Sequence, residues 1–143
     1  VAELFDKLAI CASELTVEVL EQFECINPVQ QNLSLVSHCK KISKKDGLVE
    51  FNNANFLYNK YRAFKSWPDI YLDSGIKLKE CELNDINSSN KIGEILAIEG
   101  DYIIVGCKTG SIKIISVQPS SKKQMNVVSY IRGKRLEIGD DFS

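Results

Sequence analysis

The chain has 143 residues, 44% apolar and 26% charged, with a formal net charge of -1. That is enough for one domain with a real core, too short for two ordinary ones, and balanced as in globular rather than disordered chains. No run of about 18 apolar residues occurs, which excludes a membrane-spanning helix. The opening Val-Ala-Glu-Leu-Phe-Asp-Lys lacks the basic segment and apolar stretch of a secretory signal.

Residues 2–23 carry Leu4, Phe5, Leu8, Ala12, Leu15, Val19, Leu20 and Phe23 at three- and four-residue steps, with acids between them. This spacing predicts one amphipathic helix whose apolar face needs a partner surface. Asn27-Pro28 ends it. Residues 27–38 are rich in Asn, Gln, Ser and Leu without periodicity and read as a linker. Asp46-Gly47 is a turn signal leading into an extended Leu48-Val49-Glu50-Phe51. Asn52 or Asn53 can cap a second helix with an aromatic face of Phe56, Leu57, Tyr58, Tyr61 and Phe64, ended by Trp67-Pro68.

Beyond Asp69 the pattern changes to five short runs rich in Ile and Val: Ile70–Leu72, Ile76–Leu83, Gly93–Ile98, Tyr102–Cys107 and Ile112–Val117. Turn residues separate them, so a small OB-like open β-barrel is expected. A last helix fits Asn126–Ile131, with Asn126 as its cap and Gly133 as its stop. The fold class is therefore mainly β with flanking helices, the barrel preceded by an amphipathic helix and a linker.

Charge is unevenly spread. Residues 1–24 hold six acids against Lys7, a net -5, which leaves +4 on the rest of the chain. Between Asp101 and Glu137 there is no acid, but there are Lys108, Lys113, Lys122, Lys123, Arg132, Lys134 and Arg135. Lys40, Lys41, Lys44 and Lys45 form a second basic cluster. Acid-free basic segments in a near-neutral chain are an electrostatic footprint for a polyanion, or else plain solvated faces. Nothing points to DNA or a membrane as partner.

Other constellations carry no chemistry. Cys11, Cys25, Cys39, Cys81 and Cys107 are too scattered for a metal site and odd in number, so free thiols in a reducing, cytoplasmic setting are expected, mostly as buried small hydrophobes. His38 falls in the linker without an acid or hydroxyl partner at useful spacing. Lys108-Thr109-Gly110 matches a β-lactamase box, but between two strands a hairpin turn is the better reading. No G-x-G-x-x-G, P-loop or H-E-x-x-H occurs, and neither a resident cofactor nor a metal is expected.

Four stretches together resemble the C-terminal region of the methionyl-tRNA formyltransferase family. Lys41-Ile42-Ser43-Lys44-Lys45-Asp46-Gly47 is similar to the family's K-[IL]-S/T-K-x-[DE] entry into that domain. Arg62-Ala63-Phe64-x-x-Trp67-Pro68 is similar to R-[AG]-[FL]-x-P-W-P, with Ser66 in place of the first proline. Gly93-Glu94-Ile95-Leu96 resembles P-G-T-I/V-L, with Ile92 in place of proline. Val117-Gln118-Pro119-x-x-Lys122-Lys123-x-Met125, followed by Tyr130-Ile131-x-Gly133, is similar to L-Q-P-x-G-K-[KR]-x-M and F-[LI]-x-G, with Ser121 where the family has glycine. Leu4-Phe5-Asp6-Lys7-Leu8 resembles the helix that ends the family's catalytic domain.

The resemblance implies three segments: residues 1–25 as the terminal helix of an upstream catalytic domain, 26–45 as a linker, and 46–143 as an OB-like tRNA-binding domain. It implies that the parent enzyme formylates the methionine amino group of initiator methionyl-tRNA with 10-formyltetrahydrofolate as co-substrate. The catalytic residues would lie upstream, so a chain without its first half is expected to be inactive; it begins with Val1 rather than methionine, as a fragment or processed chain would. Lys41 and Lys44, then Lys122 and Lys123, match family positions and are the first candidates for tRNA contact. Lys108, Lys113, Arg132, Lys134 and Arg135 are chosen from charge alone. Trp67, Phe64, Pro119 and Met125 are read as packing and turn residues. Two other readings remain: a protein-docking OB-like domain, and the corresponding domain of a folate- or nucleotide-sugar formyltransferase, relatives that lack the Q-P-x-x-K-x-x-M stretch.

Overall fold

The computed structural model describes residues 2–143; Val1, the first residue of the 1–25 segment, lies outside the described residues. The chain divides into two compact units, residues 1–42 and 43–143.

In the first unit, helix α1 (Ala2–Glu21) follows the apolar periodicity of the sequence. Lys7 pairs with Glu3 at 2.9 Å, one turn apart on its surface. Leu4, Phe5, Leu8, Leu15 and Leu20 are each more than half exposed. A single-turn 3-10 segment at Phe23–Cys25 follows α1, and another forms at Leu33–Leu35. The second is capped by Asn32, whose side chain accepts from the Ser34 amide at 3.0 Å. No described helix is long and apolar enough to cross a membrane.

The second unit opens with a capping box. The Asp46 carboxylate accepts from the amide and the hydroxyl of Ser43, both at 2.8 Å, and winds Lys44–Gly47 into a 3-10 turn. Gly47 is required there, because a Cβ would collide with the Asp69 carbonyl and crowd the Tyr71 ring. The chain then runs extended, and the Val49 amide donates to the Tyr71 carbonyl at 2.9 Å. Asn53 caps α2 (Ala54–Phe64) by accepting from the Phe56 amide at 2.9 Å. Ala54, Leu57 and Tyr61 form the buried stripe of α2.

The sheet is antiparallel throughout, in the order β1 (Ile70–Tyr71), β2 (Lys77–Asp85), β5 (Ser111–Gln118), β4 (Tyr102–Gly106), β3 (Ile95–Glu99). A sixth strand, β6 (Met125–Asn126), adds to β5 and was not foreseen. Register shifts in β2 bend it around the core, as bulges do in small barrels. The sheet does not close, so the architecture is an open barrel. Its core includes Phe51, Ile70, Leu78, Ile95, Ile103, Val105, Ile112, Ile114 and Val117, all nearly inaccessible.

The open edge is covered by chain that is neither helix nor strand. The Ile95 amide donates to the Asp140 carbonyl at 2.9 Å, the Gly139 amide to Ile95 at 2.8 Å, and the Phe142 amide to Gly93 at 2.9 Å. Phe142 enters the core and meets Phe51 and Tyr130 edge-on, at 6.4 and 6.1 Å between ring centres. Helix α3 (Val127–Lys134) is capped by Asn126, as expected. It does not stop at Gly133. Arg135 takes the left-handed turn instead, at φ 58°, and the Leu136 amide donates to the Ile131 carbonyl at 3.0 Å. This closure lays Leu136 against the core, a gain that a stop at Gly133 would forgo.

The cysteines split by unit. Cys11, Cys25 and Cys39 are exposed, contrary to the expectation of burial, while Cys81 and Cys107 are buried. Burial raises both buried thiols, Cys107 to about 11, so neither is a nucleophile at neutral pH.

Two thermal-melt outcomes follow. Phe142→Ala should cost about 3–5 kcal/mol, because the tail loses its only core anchor among the described residues. Gly133→Ala should raise stability by about 0.5–1 kcal/mol, since the position is helical and open around the added methyl.

Candidate nucleic-acid interface

The loop from β5 to β6 holds the strongest sequence motif and is built as a closed turn. The Gln118 side-chain amide donates to the Lys122 carbonyl at 3.0 Å, and the Lys122 amide donates to the Pro119 carbonyl at 3.1 Å. Ser121 takes φ 60°, the left-handed conformation a glycine would supply, so the turn survives the substitution. The Gln124 side chain donates to the Ser116 hydroxyl at 3.0 Å and fixes the far side of the loop. Lys122 and Lys123 project from this frame, exposed, with no carboxylate partner among the described residues.

The other candidates are placed as follows. Lys44 is exposed on the 3-10 turn held by the Ser43–Asp46 box, and Lys41 is exposed in the first unit. Lys108 is exposed in the β4–β5 turn, where Gly110 at φ 80° confirms the hairpin reading of Lys-Thr-Gly. Arg132, Lys134 and Arg135 crowd the C-terminal end of α3, where cations also oppose the helix dipole. Lys113 differs. It pairs with Glu82 across β2 and β5 at 3.0 Å and lies 4.3 Å from the Tyr102 ring centre. The hydrogen bond to Glu82 raises its pKa. The stretch that is acid-free in sequence is therefore not acid-free in space.

The cations do not form one cluster. Lys108 sits at the start of β5 and Lys122-Lys123 at its end, separated by the length of an eight-residue strand, roughly 25 Å. Such spacing suits an extended polyanion rather than a small ligand. Lys77 and Lys79, by contrast, are consumed internally: Asp69 binds them at 3.0 and 2.6 Å. Burial alone would raise the Asp69 pKa, but the two lysines together lower it.

Sequence reasoning missed the outer face of α2. No acid occurs between Glu50 and Asp69, yet Lys60, Arg62 and Lys65 do. Each lies near an aromatic ring, Lys60 over Phe56, Arg62 over Tyr58 and Lys65 over Tyr61, at 6.0, 6.0 and 5.8 Å from the ring centres. Arg62 is exposed, and Phe56 and Trp67 are 68% and 53% exposed, so neither aromatic is a packing residue. No group of His, Cys, Asp and Glu among the described residues could hold a metal, and His38 is exposed.

Residues 41–135 match the family model described as "Formyl transferase, C-terminal domain". The chain belongs to this family. It is 57% identical to a methionyl-tRNA formyltransferase from Sulfurimonas denitrificans over 98% of this chain and 46% of that protein. It is 50% identical to one from Nitratiruptor sp. and 48% to one from Wolinella succinogenes, with 97% and 98% of this chain and 46% of each relative covered. The chain thus spans about half the length of the curated relatives it matches. Among solved structures, a variant of HypX from Aquifex aeolicus superposes with a TM-score of 0.61 at 17% identity, covering 90% of this chain and 24% of HypX. HypX in complex with tetrahydrofolic acid gives 0.60 at 18%, with the same coverage. At that identity the likeness shows the fold of this formyl transferase C-terminal domain and nothing further.

Ser121→Gly should stabilise the protein by up to about 1 kcal/mol, because only glycine takes the left-handed conformation without steric cost. A raised melting temperature with unchanged secondary structure would confirm the strain; a lowered one would contradict it.

Proposed function

We propose that this chain is the C-terminal, tRNA-binding part of a methionyl-tRNA formyltransferase acting in translation initiation in the cytoplasm. The observation that carries it is the near-complete match, at 48–57% identity, to relatives that are all methionyl-tRNA formyltransferases. The framed, unpaired Lys122-Lys123 loop supports it independently.

In this reading residues 46–143 form the tRNA-binding domain, 26–45 the linker and 1–25 the last helix of the catalytic domain. The exposed apolar residues of α1 supply the surface by which that helix docks on the rest of the enzyme. The full-length enzyme transfers a formyl group from 10-formyltetrahydrofolate to the methionine amino group of initiator methionyl-tRNA. This chain contributes placement: Lys41, Lys44, Lys122 and Lys123, and more distantly Lys108, Arg132, Lys134 and Arg135, neutralise phosphates. Phosphate contacts set register rather than read bases. Holding the acceptor end so that the amine meets the formyl donor in reactive geometry is itself a catalytic contribution. Lys113, already matched by Glu82, ranks last among the nine candidates.

Filter binding to initiator tRNA at several salt concentrations tests this. With about four phosphates engaged, log affinity should fall with log salt at a slope of roughly -3 to -4. Replacing Lys41, Lys44, Lys122 and Lys123 together by alanine should remove most of that dependence. Salt-independent binding, or retention by the quadruple variant, would refute the assignment.

A further inference from the structure

We infer that the outer face of α2 is a second nucleic-acid contact, at which Phe56 stacks on an unpaired base of the tRNA while Lys60 and Arg62 hold the adjoining phosphates. The inference rests on the tRNA reading above, takes Arg62 from a family motif, and adds Phe56 and Lys60, to which neither charge clustering nor the family motifs pointed.

Three observations converge on that face. It is basic along the helix: from Phe51 to Pro68 there are three cations and no acid, while Glu50, which lines the adjoining hollow, accepts a hydrogen bond from the Asn52 side chain. It is aromatic where it meets solvent, since Phe56 is 68% exposed while Ala54, Leu57 and Tyr61, on the opposite face of the helix, fill the core. And it is polar between these groups, with Asn55 and Asn59 joined by a side-chain hydrogen bond of 3.4 Å. Basic surface interleaved with exposed aromatics is what single-stranded nucleic acid binds, because every base has a π face and every linkage a charge.

The geometry suits a nucleotide. Lys60 follows Phe56 by one helical turn, about 5.4 Å along the axis, comparable to the separation of a base from its own phosphate. Lys60 is held in place, its ammonium donating to the Leu48 carbonyl at 2.6 Å and lying 6.0 Å from the Phe56 ring centre. A preset cation costs less side-chain entropy on binding than a free lysine. Beside Phe56 the surface is indented by an open hollow of about 250 Å³ lined by Leu48, Glu50, Asn53 and Leu57 among others, so a base laid on the ring has room for its edge. Duplex regions offer phosphates but no accessible π face, so the contact selects unpaired nucleotides.

The test compares the wild-type chain with Phe56→Ala, Phe56→Trp and Arg62→Ala, against initiator tRNA and a blunt RNA duplex, by filter binding over a salt series. The single tryptophan, Trp67, is exposed just beyond α2 and serves as a fluorescence reporter. Phe56→Ala should weaken tRNA binding by about five- to a hundredfold with its salt slope unchanged, and Phe56→Trp should restore it. Arg62→Ala should lower the slope by about 1. The tRNA should change Trp67 emission more than the duplex does. Circular dichroism should show all variants folded, as expected for exposed positions.

If the wild-type chain binds tRNA but Phe56→Ala binds equally, this inference falls and the tRNA reading stands. If the wild-type chain binds neither RNA, both fall. Self-association that Phe56→Ala abolishes, with tRNA affinity untouched, would overturn the inference and assign the face to a second copy.

Discussion

The incomplete closure of the β-sheet is the constraint on which the second unit depends. A sheet of five strands in line leaves its outer backbone groups unpaired, and each such group is costly if buried without a partner. Two irregular segments meet that demand. Residues 48–54 link the Tyr71 end of the sheet to the β4–β5 turn: the Lys108 and Thr109 amides donate to the Phe51 and Asn52 carbonyls at 2.8 and 3.1 Å, and the Ala54 amide donates to the Thr109 carbonyl at 3.0 Å. Residues 137–142 do the same along β3. Phe51 and Phe142 come from these two segments and pack on each other in the core. Polar closure and apolar plugging are thus achieved by the same stretches of chain, and their loss would expose both.

The closed frame also decides which cations are available to a partner. Within the sheet, lysines have acids across the strand, and Asp69 and Glu82 absorb Lys77, Lys79 and Lys113. At the loops and helix ends Lys108, Lys122, Lys123, Arg132, Lys134 and Arg135 form no ion pair among the described residues. Fixed loops carrying unpaired charge are suited to a polyanion, because the backbone is already ordered and only ions need be released on binding. Near-neutral net charge hides this division, since the net -5 of residues 1–24 offsets the +4 of the rest of the chain.

Much of this was legible in the sequence. The strands, the helix α1 and the two asparagine caps follow from periodicity and from hydrogen-bonding groups placed before apolar runs. The barrel class followed from five short strands with turn residues between them. What was not legible depends on contacts distant in the chain. Lys113 and Glu82 are separated by 31 positions, and only the strand register brings them together. Phe142 stands in a terminus with no periodic signal, and β6 is two residues long. The α2 aromatics were read as one face, although Phe56, Leu57 and Tyr58 are consecutive and a helix turns 100° per residue, which sends Phe56 outward. Arg135, rather than Gly133, ends α3 because the packing of Leu136 outweighs the local preference for glycine.

Amide hydrogen exchange of the chain, free and saturated with initiator tRNA, tests the central claim most directly. The account predicts slowed exchange in the turn at residues 43–47 and in the loop at residues 118–124, with the β3 edge under residues 137–142 unchanged. Protection confined to residues 2–42, or no change at saturating tRNA, would contradict it.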